Sequence, residues 1–83
     1  MLKYQEIYIV FTDSTPAMKR LHDVTRATDQ RQLAAFFNVR QSAISDALRR
    51  NRIPLDWLLQ LQHSHGISPL WVITGAGERH IRE

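Results

Sequence analysis

Apolar residues recur at helical spacing in several short segments of the chain, and each segment is bounded by residues that start or stop a helix. The first such segment contains Met18, Leu21 and Val24 and follows Ser14-Thr15-Pro16. A hydroxyl side chain can cap a helix there, and proline suits the first turn, where its missing N–H is no loss. The pattern predicts a first helix from Pro16 to about Ala27.

Two further helices joined by a tight turn are predicted next. Asp29 can cap the second helix, and Gln32, three residues later, is able to reach back to the cap. Asn38 suits the turn because Asn tolerates the left-handed conformation. The third helix is predicted from Gln41 to about Arg50. The inward residues of the two helices are Leu33, Ala34, Phe36 and Phe37, then Ala43, Ile44, Ala47 and Leu48.

Proline and glycine mark the limits of two more helices. The segment Arg52-Ile53-Pro54 interrupts the helical pattern, and Pro54 can open a fourth helix that ends at Gly66. Ser68-Pro69 repeats the cap and proline before a fifth helix that ends near Gly75. Trp57 and Trp71 each lie within an apolar helical stripe and are predicted to lie in the core. The other apolar residues of these two stripes are Leu58, Leu61, Leu70, Val72 and Ile73.

The predicted fold is all-α, a compact bundle of about five short helices with a short N-terminal strand. Aromatic and β-branched residues favour a strand over Tyr4 to Phe11, although four of them also fit one helical face. This stretch either fills the core or pairs with the same segment of a second copy to form an intermolecular sheet. We expect residues 1–13 to form an extension or dimerisation arm, residues 14–75 the helical domain and residues 76–83 a flexible tail.

Charge and composition narrow the function classes. The 83 residues have a net charge of +3, and the window from Lys19 to Arg52 holds eight basic and three acidic residues. This window permits a nucleic-acid partner, and the alternative is an ordinary solvated surface. Absence of cysteine excludes disulfides and thiolate metal sites, and neither a membrane span nor a secretory signal is predicted. His63 and His65 are poorly spaced for a metal. We expect a cytoplasmic protein that is not an enzyme and has no cofactor, metal, small-molecule substrate or membrane partner.

The stretch from Gln30 to Leu48 has the spacing of a helix-turn-helix unit. Ala34 is small where the two helices cross closely, and Asn38 stands at the turn position that needs positive φ. Ile44 and Leu48 are expected to lock the second helix of the unit onto the first. The alternative is a plain helical hairpin in which Ala34 reflects packing alone.

The outward face of the predicted third helix is polar and basic, the kind of surface that helix-turn-helix proteins insert into the major groove. Amide, hydroxyl and guanidinium groups can bond base edges, and the predicted base contacts are Gln41, Ser42, Ser45 and Arg49. Asp46 is the discordant member of this face. Polar groups around the unit can bond phosphates without recognising sequence; the predicted phosphate contacts are Gln30, Arg31, Arg40, Arg50, Asn51 and Arg52.

The segment from Gln30 to Arg79 resembles the helix-turn-helix domain of bacteriophage CI-type repressors, in the lambda-repressor-like superfamily. The resemblance lies in these blocks: Gln32-Leu33-Ala34 to Phe37, Gln41 to Ser45, Arg50 to Pro54, Trp57-Leu58-Leu59 and Trp71 to Gly75. It implies a repressor or a related transcriptional regulator that binds double-stranded DNA at a palindromic operator as a homodimer.

Three departures from the family pattern stand out. Arg40 occupies a position that usually has a small capping residue, so the third helix is expected to lack a side-chain cap. About 13 residues precede the first helix. Family members usually have a C-terminal oligomerisation domain, and the sequence ends before one could start, so we expect either a standalone variant or a fragment. Since a fold does not fix a function, the alternative hypothesis is a protein-interaction module that keeps the scaffold without binding DNA.

Overall fold

Five helices and two short strands form the fold, in a computed structural model that describes residues 6–81. In chain order the elements are β1 (Tyr8–Val10), α1 (Thr15–Thr25), α2 (Gln30–Phe37), α3 (Gln41–Arg50), β2 (Arg52–Pro54), α4 (Leu55–His65) and α5 (Pro69–Thr74). The predicted small helical bundle with a short N-terminal strand is confirmed. Residues 1–5 lie outside the described residues, and they include positions 4 and 5 of the predicted strand. Residues 82–83 of the predicted tail lie outside them too.

Local capping signals account for most helix ends. The Asp29 carboxylate accepts the N–H of Gln32 at 2.8 Å, as predicted for the start of α2. The Gln32 side chain reaches back one residue further than expected, to the N–H of Thr28 at 2.9 Å. Gly66 and Gly75 end α4 and α5 in the left-handed conformation, with φ of 64° and 74°. Arg40 precedes α3 without a side-chain cap, as expected.

The start of α1 departs from the prediction. Ser14 occupies the capping position, but its side chain makes no capping bond and is fully buried. The carboxylate of Asp13 accepts the N–H of Thr15 at 3.0 Å instead, and this bond lowers the pKa of Asp13 below its ordinary value of 3.8. The Ser14 hydroxyl therefore has a different role, described below.

The segment predicted only to interrupt the helices is a strand. β2 pairs antiparallel with β1, with Tyr8 opposite Pro54, Ile9 opposite Ile53 and Val10 opposite Arg52. Two more backbone bonds extend the ladder, from the Phe11 N–H to Asn51 O and from the Leu55 N–H to Ile7 O, both at 2.8 Å. Pro54 precedes α4 rather than opening it. The ladder joins the N-terminal segment to the end of α3.

The core is a single apolar cluster to which every helix contributes. Its fully buried aliphatic side chains are Leu21, Leu33, Ile44, Ile53, Leu58, Leu61 and Val72. The Phe37 and Trp57 rings stack at 5.1 Å between centroids, which confirms Trp57 as a core residue. Trp71 is half-buried against the cluster, and the guanidinium carbon of Arg79 lies over its ring, 5.3 Å from the centroid. The Cα atoms span 34 × 34 × 25 Å.

The residues after α5 turn back along the loop between α4 and α5. The Ser68 N–H donates to Arg79 O at 2.9 Å, and the Ile81 N–H donates to Gly66 O at 2.7 Å, around a bridge between Ile67 and His80. Residues 79–81, expected to belong to a polar tail, are therefore hydrogen-bonded to the domain. Arg20 closes the same end, because its Nε donates to Val72 O at 2.8 Å.

Candidate nucleic-acid interface

The helix-turn-helix unit is made by α2, the turn at residues 38–40 and α3. Asn38 has φ of 56°, the positive value predicted from its place in the turn. Ala34 is buried, and its carbonyl accepts the N–H of Val39 at 3.0 Å, so the turn lies directly against α2. Ile44 is fully buried beneath α3. The inner side of α3 is thus fixed to α2, and its other side is left to solvent.

The four predicted base-contact residues share one exposed face of α3. Gln41, Ser42, Ser45 and Arg49 are all exposed, and their spacing places them within about a quarter turn of one another around the helix axis. Ser42, Ser45 and Arg49 also line an open depression, together with the apolar residues Val39 and Ala43. The surface offers amide, hydroxyl and guanidinium groups in one place.

One hydrogen bond connects the two helices of the unit at this surface. The Ser45 hydroxyl donates to Oε1 of Gln30 at 2.6 Å. Gln30 was predicted to contact phosphate and Ser45 a base, and the bond joins the two sites. Because its proton is engaged, Ser45 has only acceptor lone pairs to offer, while the Gln30 amide NH₂ keeps its donors. The sequence spacing gave no sign of this contact.

The carboxylate of Asp46 forms ion pairs with three arginines at the exposed face. Its Oδ1 accepts from Arg49 Nη2 at 2.6 Å and from Arg50 Nε at 2.9 Å, while its Oδ2 lies 3.8 Å from Arg52 Nη2. The hydrogen bond from Arg49 is the largest cause of a pKa of Asp46 below its ordinary value of 3.8, and Arg50 adds to it. The acid that looked discordant in the sequence is the shared partner of three predicted DNA-contact residues.

Arg52 is held more firmly than a surface arginine. Its guanidinium lies 4.0 Å from the centroid of the Tyr8 ring, and its side chain is 31% exposed. Its Nε–H is buried without a hydrogen-bond acceptor among residues 6–81. Stacking on β1 therefore fixes Arg52 beside Asp46.

Asn51, predicted as a phosphate contact, has a structural role that sequence reasoning missed. It ends α3 with φ of 54°, and its Oδ1 accepts the Ser14 backbone N–H at 2.9 Å and the Ser14 hydroxyl at 3.1 Å. Only its amide NH₂ is left to donate to a phosphate. Its position after the helix, where Asn tolerates positive φ, was a signal for the conformation but not for the Ser14 partner.

The other predicted phosphate contacts lie around the edge of the unit. Arg31 and Arg40 are exposed, Arg31 in the first turn of α2 and Arg40 at the start of α3. His63 and His65 are exposed on α4, and residues 6–81 contain no group of three or more potential metal-ligating side chains. No helix in that range is both long and apolar enough to cross a bilayer.

Comparison with known proteins identifies the unit. The sequence profile described as the bacteriophage CI repressor helix-turn-helix domain matches residues 16–80, which include all five helices except the first residue of α1. Neither the curated proteins nor the solved structures give a match to the chain. The match covers more than half of the chain and agrees with the geometry of α2 and α3. The chain therefore belongs to the family of bacteriophage CI repressor helix-turn-helix domains, which are domains of DNA-binding regulators.

Proposed function

We propose that the protein is a sequence-specific transcriptional repressor of the phage or prophage type, which binds a palindromic operator in double-stranded DNA as a dimer. The observation that carries the proposal is the exposed polar and basic face of α3 on a helix-turn-helix frame. Occupancy of the operator would exclude polymerase or another factor. This mechanism requires no cofactor and would operate in the cytoplasm.

The proposed base contacts are Gln41, Ser42, Ser45 and Arg49. An amide can bond adenine in bidentate fashion and a guanidinium can do so with guanine, each good pair discriminating by about 1–3 kcal/mol. Ser45, whose proton is engaged by Gln30, is suited to accept from a base amino group. The proposed phosphate contacts are Gln30, Arg31, Arg40, Arg50, Arg52 and the amide NH₂ of Asn51.

A dimer would match the twofold symmetry of a palindrome. Two copies would place their α3 helices about 34 Å apart, one turn of DNA. The N-terminal segment is the proposed dimerisation arm, and the exposed Val10 on β1 supports this role because an apolar side chain at a sheet edge favours pairing. The rest of the domain, from residue 14 to residue 75, would then serve DNA binding.

The test is a selection on random duplex DNA, followed by titration of the enriched site and a scrambled site at several salt concentrations. We expect an enriched palindrome bound at least about 10³-fold more tightly than scrambled DNA. Retained binding of a protein partner without enrichment of any DNA sequence would instead favour an interaction module.

Matched variants separate the two kinds of contact. Gln41→Ala should relax the preference at one base position, whereas Arg31→Ala should weaken all sequences and lower the salt slope by about 0.9. Lys19→Ala, at an exposed position on α1, is the control for lost positive charge. An equal loss on every sequence from Gln41→Ala would contradict its assignment as a base contact.

A further inference from the structure

Asp46 is the acidic member of an exposed helix face that is otherwise polar or basic. Its carboxylate is 34% exposed and lies between Arg49 and Arg50, both of which are more than half exposed. It also lines the depression that contains Ser42, Ser45 and Arg49. The acid is therefore at the surface that faces DNA under the proposed function, and not behind it.

A carboxylate and a phosphate compete for the same guanidinium donors, because both accept charge-assisted hydrogen bonds of similar geometry. An arginine paired with Asp46 can bind phosphate only if it leaves the carboxylate or shares its donors. Sharing brings two anions together, which costs free energy whatever the DNA sequence. The ion pairs of Asp46 thus oppose binding to every duplex.

The same pair can favour one particular base. The bond from Arg49 Nη2 to Asp46 restricts a long side chain that is otherwise 74% exposed. A guanidinium has five N–H donors in a fixed plane, so the remaining donors stay available for the O6 and N7 acceptors of guanine. Restricting Arg49 before binding reduces the side-chain entropy lost when it makes that contact.

We propose that Asp46 is a specificity-determining residue, which weakens the affinity of α3 for DNA of any sequence and orients Arg49 toward a guanine edge at the operator. On operator DNA the first effect weakens binding and the second strengthens it. On other DNA only the weakening effect acts. Asp46 therefore increases the ratio of operator affinity to non-operator affinity. This inference rests on the proposed function, because it requires an operator.

The test is Asp46→Asn, which removes the charge and keeps the size of the side chain. Exposed ion pairs each change an equilibrium by a modest factor, so affinity for scrambled DNA should rise about three- to tenfold. The salt slope on that DNA should become steeper by about 0.9 for each phosphate newly neutralised. Affinity for the selected operator should change less, so that the operator-to-scrambled ratio falls.

Asp23→Asn is the matched control, because it makes the same change in net charge at an exposed position on α1. It should leave the ratio unchanged. A second test is Asp46→Asn in an Arg49→Ala background, where operator and scrambled DNA should tighten by the same factor because only the effect of the charge remains. Circular dichroism melts of all variants check that each one is folded.

Three results would overturn the proposal. Equal tightening of operator and scrambled DNA by Asp46→Asn would mean that Asp46 contributes charge alone. An unchanged effect in the Arg49→Ala background would exclude action through Arg49. Failure of the unmodified protein to prefer any sequence would overturn the proposed function itself, and this outcome is recognised before any variant is made.

Discussion

The bond between Ser14 and Asn51 predicts a large loss of stability from a small change. Asn51→Ala removes the oxygen that accepts both the backbone N–H and the hydroxyl of Ser14, a residue with no exposed surface. The hydroxyl has a second acceptor in Leu48 O at 3.5 Å, whereas the N–H has no other acceptor among residues 6–81. One buried donor is therefore left unsatisfied.

Two terms make up the expected magnitude. An unsatisfied buried N–H costs about 1–3 kcal/mol, and alanine at positive φ costs about 1 kcal/mol more than asparagine. The free energy of unfolding should therefore fall by about 2–4 kcal/mol. A domain of this size has about 4–12 kcal/mol in total, so the loss is a large fraction of it.

The chain contains a matched control at Asn38. This residue has the same left-handed backbone as Asn51, with φ and ψ of 56° and 48° against 54° and 48°, but its side chain is exposed. Asn38→Ala should thus show the backbone cost alone. Urea denaturation followed by far-ultraviolet circular dichroism measures both variants. Equal losses at the two positions would refute the reasoning, because the bonds to Ser14 would then contribute nothing.

Three further predictions concern other parts of the molecule. Arg20→Ala should lower the free energy of unfolding by about 1–3 kcal/mol, measured in urea, because the last carbonyls of α5 lose their donor; an unchanged midpoint would contradict this. Ala34→Leu should cost about 1–3 kcal/mol by overpacking the crossing of α2 and α3, and a thermal melt like that of the unmodified protein would show that the helices can move apart. The pKa of Asp46 lies below 3.8, so its ion pairs are complete at pH values above 3.8 and are lost as the pH falls through the lowered pKa. Arg49→Ala should raise the titration midpoint of the Asp46 carboxyl group, measured by NMR. An unchanged midpoint would exclude Arg49 as the main cause of the lowered pKa.

Sequence patterns predicted the helices because the signals for them are local. Asp29 and its capped N–H are three residues apart, and Asn38, Gly66 and Gly75 set their own φ values. The limits of α3 are those expected from the turn at Asn38 before it and the break at Arg52-Ile53-Pro54 after it. Such features depend on a few adjacent residues, which a single sequence displays directly.

Contacts between distant residues could not be predicted in the same way. Ser14 and Asn51 are 37 positions apart, and each residue alone suggested a different role, a helix cap and a phosphate contact. The pairing of β1 with β2 likewise depends on segments more than 40 residues apart, and a three-residue strand beside a helix has no periodicity of its own. The ion pairs of Asp46 are local, at spacings of three and four, and this signal was present in the sequence.

The dimensions of the domain limit how closely two copies can follow one another along a duplex. Even its shortest Cα span, 25 Å, corresponds to about seven base pairs at the rise of B-DNA. Half-sites separated by one turn, roughly 34 Å, face the same side of the duplex. Two domains on such half-sites would lie side by side with little space between them if one of their two longer spans, each 34 Å, followed the duplex. Under the proposed function, half-sites offset by half a turn would instead place the two copies on opposite faces of the duplex.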